Sequence, residues 1–473
     1  MPVMSGLQIL DVPPGPALAQ LAAELSNERW PVLLAGGQDS GELNRWRFLA
    51  WDPVEVVEHR VTGRYESDPA ARALPRLATA LTRVFGAASE AEAEKRAWTG
   101  PALPPFCGGA VGLLGFDLGR ELEALPDLVP PDAPLPDLSM GLYPFVLAEE
   151  VPTGRRMLVG RGSAGEARTR LDDVAALVRH ASPVQGPAHD AVGTPCSTFE
   201  RVEYESAVRR ILDHIRQGDI YQVNLSQRFE LPYRDTATAL FEAVSVRNPV
   251  PFGSLFRTPD WQLLSNSPEL FLRRRGNVFE SRPIKGTRPR SGDPERDALQ
   301  RAELEASEKE LAELAMIVDL VRNDLGRSAE LGSVSVDLPF QTDAWATVFH
   351  RLARVHGTLS EGLELTSILE GAYPPASVTG TPKIRALEII EAIEPVRRHA
   401  YTGAFGWIDG SGDCDLSVNI RIATLHDERL LVPVGGGITV GSDPTAEYVE
   451  TLHKARAMFD ALHVSLPMGS LVA

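Results

Sequence analysis

Paired carboxylates are the first feature of this sequence that could do chemistry. Glu310 and Glu313 stand three residues apart, so on a helix they share a face, beside a stripe of Leu311, Leu314 and Val318. Further on, Asp443 reads as an N-cap and Pro444 as a first helical residue. Glu447, Glu450 and Lys454 then line one face of that helix, while Tyr448, Leu452, Ala455, Phe459 and Leu462 line another. Two such helices could hold a hard cation such as Mg²⁺ among oxygen ligands. Spacing alone favours the plainer reading of two solvated helix faces.

A lysine and a glycine run come next. In Arg282-Pro283-Ile284-Lys285-Gly286-Thr287 a strand ends at Lys285. A lysine in a partly buried site can lose its proton and become a nucleophile, although an exposed loop lysine is the commoner fate. Gly435-Gly436-Gly437 follows a strand at 430–434 and permits close approach of backbone to a ligand. It is no dinucleotide fingerprint, because the third glycine would fall on Val440. Thr379-Gly380-Thr381-Pro382-Lys383 opens a helix whose N-terminus could hold a carboxylate, and Pro382 rules out a Walker A loop. His350, Tyr401 and Gln222 suit structural roles as well as functional ones. Arg421, in a strand expected at 418–424, would need an anionic partner if it points inward.

These residues need elements to carry them. Residues 1–180 read as a mixed α/β region, with apolar runs at 30–34 and 157–160 and helices at 70–85 and 164–178. Pro, Gly and small polar residues over 181–198 mark a linker. The third region, 199–466, opens with an amphipathic helix at 203–217 closed by Gly218. Strands are predicted at 222–230, 261–265, 270–274, 277–280, 347–355, 404–408, 418–424 and 430–434. One long helix is predicted at 296–325 and a last one at 444–462. Strands outnumber helices and do not alternate with them. The expected class is α+β, a layered sandwich of large antiparallel or mixed β-sheets with outer helices.

Composition narrows the partners. The 473 residues carry a formal charge of −17 and no Lys/Arg-rich run. That argues against nucleic acid and against an anionic membrane surface, both of which require clustered cations. No apolar run approaches the roughly 20 residues that span a bilayer. Cys107, Cys196 and Cys414 are scattered and odd in number, which argues against a disulfide framework or a zinc knuckle. With no signal-peptide pattern at the start, the expected location is cytoplasmic.

Taken together, the segments resemble the chorismate-utilising enzymes. The phrases are GDIYQVNLSQRF (218–229), SNSPELFL (265–272), RPIKGT (282–287), KELAELAMIVDLVRNDLGR (309–327), PASVTGTPKIRALEII (375–390), YTGAFGWI (401–408), NIRIAT (419–424) and GGGITVGSDPTAEYVETLHKA (435–455). WRFLAWDP (46–53) and GGAVGLLGFDLGRELE (108–123) match more weakly. The family includes anthranilate synthase component I, aminodeoxychorismate synthase component I, and the isochorismate and salicylate synthases.

The resemblance implies that Glu313 and Glu450 hold Mg²⁺, with Glu310 and Glu447 contacting metal-bound water. It implies that Arg421, Lys454 and the backbone at Ser377, Gly435 and Gly437 clamp the anionic chorismate. Two positions separate the members. Where isochorismate and salicylate synthases carry a water-activating lysine, this chain has Gln222, which disfavours attack by water and leaves ammonia. Where anthranilate synthases carry alanine, this chain has Lys285, as aminodeoxychorismate synthases do. The implied reaction is amination at carbon 4, with Lys285 as a covalent nucleophile at carbon 2 and Glu269 as general acid. His350 and Tyr401 take supporting roles.

No cysteine here sits in a glutaminase-like elbow, so a separate glutamine amidotransferase subunit is the expected ammonia source. No lyase domain is seen, and p-aminobenzoate would need another enzyme. Tryptophan-inhibited relatives carry Leu-Leu-Glu-Ser early in the chain; residues 33–40 read LLAGGQDS, which argues against tryptophan control. The alternatives are anthranilate synthase chemistry on the same fold and a catalytically silent regulatory homologue.

Overall fold

Several strands, among them Gly109–Leu114, Leu138–Tyr143 and Ala404–Asp409, are buried at every residue and so are covered on both faces. The computed structural model describes residues 4, 6–36, 43, 45–61, 68, 71–100, 102–188, 192–345 and 347–466. In it the strands form a twelve-stranded and a nine-stranded sheet, together with a small three-stranded one. Neighbouring strands pair antiparallel. One core lies between the two large sheets and takes Phe48, Phe256 and Leu263 from one and Val111, Phe405 and Trp407 from the other. Within it Phe106 stacks on Trp407 at 5.3 Å between ring centroids.

Helices cover the outer faces. Arg201–Gln217, Ala237–Arg247, Lys383–Ile393 and Pro444–Ala461 pack on the twelve-stranded sheet. Ala73–Phe85, Glu308–Gly326 and Leu365–Ala372 pack on the other. The molecule is thus the expected α+β layered sandwich. Both sheets run through the N-terminal and C-terminal regions. Val32–Leu34 pairs with Phe252–Arg257 in one, and Gly109–Leu114 pairs with Ala404–Asp409 in the other. Cys196–Ser197, within the expected linker, pairs with Gln222–Pro232. No helix among the described residues is long and apolar enough to cross a membrane. Of the segment at 33–40, residues 37–40 lie outside the described residues.

Four local expectations are corrected. The helix expected at 296–325 is two helices, Pro294–Ala306 and Glu308–Gly326, broken at Ser307. Ser307 has ψ 107°, and its hydroxyl accepts from the backbone N of Glu310 at 3.3 Å. A serine side chain that competes for a backbone donor restarts a helix in this way. The expected strand at 418–424 is also two, Cys414–Val418 and Ile422–His426, and these lie in different sheets. Gly435 to Gly437 do not follow a strand but lie inside one, Arg429–Ile438. Leu311, expected to join a buried stripe, is 41% exposed while Leu314 is buried.

Candidate active site

Two of the points where the chain crosses between the large sheets frame the site. Trp261–Ser267 in the twelve-stranded sheet leads to Leu270–Arg275 in the other, and Cys414–Val418 leads back to Ile422–His426. The crossovers are tied to each other. Ser267 Oγ donates to the Val418 carbonyl at 2.5 Å, and Val418 N donates to the Glu269 carbonyl at 3.0 Å. Asn266 N donates to the Arg421 carbonyl at 3.0 Å. Glu269 and Arg421 therefore emerge side by side from turns whose backbone polar groups hold one another. Arg421 takes φ +54°, which breaks the expected strand and turns its side chain out of the ladder. Its guanidinium has no hydrogen-bond or ion-pair partner among the described residues, and burial lowers its pKa. Glu269 is buried, and that burial raises its carboxyl pKa to about 7, against the opposing pull of the Ser377 hydroxyl and Lys285.

Lys285 is delivered by a bulge. Ile284–Pro289 pairs with Val348–Leu352, and the register slips between Ile284 and Thr287. A bulge of this kind bends a strand and re-aims the side chains in it. Lys285 thus lies within a strand, not at the end of one. Gly286 beside it has φ +87°, and a Cβ there would come within 2.8 Å of Leu304 Cδ1. The Lys285 ammonium donates to the Ser377 carbonyl at 3.1 Å. Burial lowers its pKa, against the nearby Glu269 carboxylate. Across the same ladder His350 Nδ1 and Thr287 Oγ1 are 2.9 Å apart, Trp345 packs edge-on, and Nε2 has no hydrogen-bond partner among the described residues. Burial pushes the imidazole pKa down to about 3, so the ring is neutral at physiological pH.

The remaining wall is glycine and acid. Gly435 and Gly437 pair with Ser226 and Asn224. A Cβ on Gly435 would lie 2.6 Å from the Leu225 carbonyl and 3.0 Å from the Tyr401 hydroxyl. Lys454 donates to the Gly435 carbonyl at 2.9 Å and pairs with Glu450 at 2.7 Å. Facing them, Glu310 and Glu313 project from the first turns of Glu308–Gly326.

These groups surround one cavity of about 950 Å³. Glu269, Lys285, His350, Ser377, Tyr401 and Arg421 line it, as do Gly435, Gly437 and Lys454, together with Glu310, Glu313, Glu447 and Glu450. Gln222 is the exception among the residues to which the resemblance gave site roles. It is buried beside Gly437, where its Nε2 would be 2.8 Å from an added Cβ, and it does not reach the wall. Asn224, two residues along the same strand and so on the same face, lines the cavity instead. Its Oδ1 has no hydrogen-bond partner among the described residues. Sequence reading missed it, although alternation from Gln222 was a usable signal. It also missed the cations Arg288, Lys309 and Arg456 at the cavity.

Two of the glutamates feel the charge of their neighbours. Burial raises the pKa of Glu313, with Glu310 and Glu450 adding to it. Burial also raises that of Glu447, with Glu450 adding. Glu450 is held low, first by Lys454. An all-oxygen set under mutual repulsion has the chemistry that suits a hard dication. The carboxylates are not drawn in to ligating distance: among the described residues no three His, Cys, Asp or Glu side chains gather closely enough to hold a metal.

A cavity of this make-up, with its carboxylates, lysines and unpartnered arginine, suits a small polyanionic substrate. Residues 38–460 match the family described as chorismate binding enzyme. The chain belongs to the chorismate binding enzyme family. Among relatives in this family, aminodeoxychorismate synthase component 1 of Klebsiella aerogenes is 36% identical over 440 residues, covering 93% of this chain and 95% of its own. Anthranilate synthase component 1 of Thermus thermophilus is 39% identical over 370 residues, 77% of this chain and 79% of its own. Among solved structures, anthranilate synthase component I from Streptococcus pneumoniae superposes with a TM-score of 0.73 at 26% identity, over 88% of this chain and 92% of its own. A menaquinone-specific isochorismate synthase from Escherichia coli shares the fold, with a TM-score of 0.70 at 18% identity over 97% and 95% of the two chains.

Proposed function

We propose that this chain aminates chorismate at carbon 4, forming 4-amino-4-deoxychorismate for p-aminobenzoate and folate synthesis in the cytoplasm. One observation carries the reading. Lys285 stands on the cavity wall with a lowered pKa, in the electrostatic reach of the carboxyl of Glu269. Neutral Lys285 Nζ attacks carbon 2, the ring double bonds shift, and the bond from carbon 4 to its hydroxyl breaks. Glu269, with a pKa near neutrality, gives its proton to the hydroxyl, which leaves as water. The alkylated Lys285 nitrogen carries the positive charge. Ammonia then attacks carbon 4, the double bonds shift back, and the bond to Lys285 breaks to return a neutral amine. The new ammonium group returns a proton to Glu269.

Arg421, Lys454 and the backbone at Ser377, Gly435 and Gly437 bind the carboxylates. Neutral His350 and Tyr401 orient the ring. Glu313 and Glu450, with Glu310 and Glu447 acting through water, would hold Mg²⁺, which when bound offsets the charge of the ring carboxylate. A separate glutamine amidotransferase supplies ammonia.

The second reading is anthranilate formation, favoured by the 39% identity to an anthranilate synthase. Product identification separates the two. The purified chain is incubated with chorismate, Mg²⁺ and ammonium salt at mildly alkaline pH, with and without an aminodeoxychorismate lyase. A product the lyase converts to p-aminobenzoate supports the proposal. Anthranilate supports the second reading. No turnover, even with an amidotransferase partner present, points to a silent regulatory homologue.

A further inference from the structure

Glu394 and Arg398 form a buried ion pair that does not line the cavity. Arg398 Nε donates to Glu394 Oε2 at 2.9 Å and Nη2 to Glu394 Oε1 at 2.6 Å. Taking two charges out of water is costly, and a buried pair is by itself weak support for a fold. What distinguishes this one is where its remaining bonds go. Arg398 Nη2 donates to the carbonyl of Asn224 at 2.7 Å, and Nη1 donates to the carbonyl of Val378 at 3.1 Å and to Thr402 Oγ1 at 3.2 Å. Glu394 Oε1 accepts from the backbone N of Ser226 at 2.8 Å.

The three groups that accept from Arg398 belong to the wall or adjoin it: Asn224 and Val378 line the cavity, and Thr402 follows Tyr401. Ser377 is the tightest link, because its carbonyl holds the Lys285 amine at 3.1 Å. Its hydroxyl also acts on Glu269, opposing the rise of the carboxyl pKa. One guanidinium therefore ties together three chain segments that are far apart in sequence, and its planar fork fixes their relative positions in a way a single ammonium could not.

We propose that the Glu394–Arg398 pair positions the catalytic wall, holding the Ser377 carbonyl where it aims Lys285 at the substrate. This inference rests on the proposed chemistry of Lys285. Its test therefore includes a readout that does not need turnover.

Arg398→Lys keeps the charge and loses the fork, whereas Glu394→Gln keeps the acceptor for Ser226 and loses the charge. Both are to be compared with the parental chain for melting temperature, kcat and KM for chorismate with ammonium, and the rate at which Lys285 is acylated by acetic anhydride, read by peptide mass spectrometry. For Arg398→Lys, kcat should fall about 30-fold or more with KM within about threefold, since a displacement near 1 Å can cost a hundredfold. Acylation of Lys285 should slow about fivefold as its site fills with water and its ammonium form gains. Glu394→Gln should show the same pattern to a smaller extent, and it serves as the test if Arg398→Lys does not fold. A folded variant with the parental kcat and acylation rate would overturn the proposal. So would a variant that yields less folded protein while its folded fraction keeps both parental values. If the parental chain turns nothing over, the chemistry fails, and the acylation comparison alone decides the positioning.

Discussion

At the scale of single residues the proposed chemistry rests on Lys285 and Glu269, because burial lowers the pKa of one and raises that of the other. Lys285→Ala should lower kcat for aminodeoxychorismate by about a thousandfold or more while chorismate binding changes little. Calorimetric binding beside a product assay checks this, and equal loss of both would reduce Lys285 to a binding residue. The pH dependence has a defined sign. On the proposed mechanism Glu269 must be protonated to release the hydroxyl, and burial raises its pKa to about 7. So kcat/KM should fall as pH rises through about 7, and Glu269→Gln should abolish that alkaline limb along with most of the rate. A profile with the same limb in the variant would assign it to another group.

At the scale of elements, function depends on interruptions more than on regular structure. Ser307 breaks what would otherwise be one helix and so places Glu310 and Glu313 in the first turns of a new one, facing the cavity. Ser307→Ala removes the acceptor for the Glu310 amide. It should cost about 1 kcal/mol of stability. On the proposed metal role it should also raise the Mg²⁺ concentration needed for half-maximal rate, while the KM for ammonium stays unchanged. The glycine strand makes a contrasting prediction. A Cβ on Gly435 meets the Leu225 carbonyl at 2.6 Å, whereas one on Gly436 meets only side-chain ends, Glu447 Oε2 at 3.3 Å, Lys454 Nζ at 3.6 Å and Glu450 Oε1 at 3.7 Å. Gly435→Ala should destabilise by about 2 kcal/mol, because backbone in a sheet cannot move aside. Gly436→Ala should leave the melting temperature nearly unchanged, and equal effects would refute this account of the strand.

For the whole molecule, the buried titrating groups leave opposing marks on stability. His350 binds its proton at about 3 in the folded chain, below the ordinary value of 6.5, so its burial lowers stability progressively as pH falls below 6.5. Glu269 binds its proton at about 7, above the ordinary 4.5, so its burial lowers stability progressively as pH rises from 4.5 toward 7. Between about pH 5 and 6.5 the two slopes, each about 1.4 kcal/mol per unit, cancel. Relative to the parent, His350→Gln should therefore lose stability with rising pH over this window, and Glu269→Gln should gain it. Denaturant midpoints at pH 5 and 6.5 measure both differences, and parallel pH dependence in all three chains would reject the assignment.

Much of this was legible in the sequence, because it follows from short-range rules. Helical spacing put Glu310 with Glu313 and Glu447 with Glu450, N-cap chemistry placed Asp443, and strand-rich patterning gave the α+β sandwich. The ordered phrases from 218 to 455 marked the family. What sequence could not supply is whatever depends on contacts between distant segments. The Arg421 strand was misread because a crossover between two sheets, with Asn419 and Arg421 alternating with Val418, Ile420 and Ile422, looks locally like one half-buried strand. Gln222 and Asn224 differ in access to the cavity because of what packs against each, not because of their alternation. The split of one helix at Ser307 turned on competition for a single amide, which neighbouring propensities outweigh on paper. The pKa values of Lys285, Glu269 and His350, and the three-way tether at Arg398, exist only after burial has removed water and brought remote charges together. Those were decided by the tertiary structure.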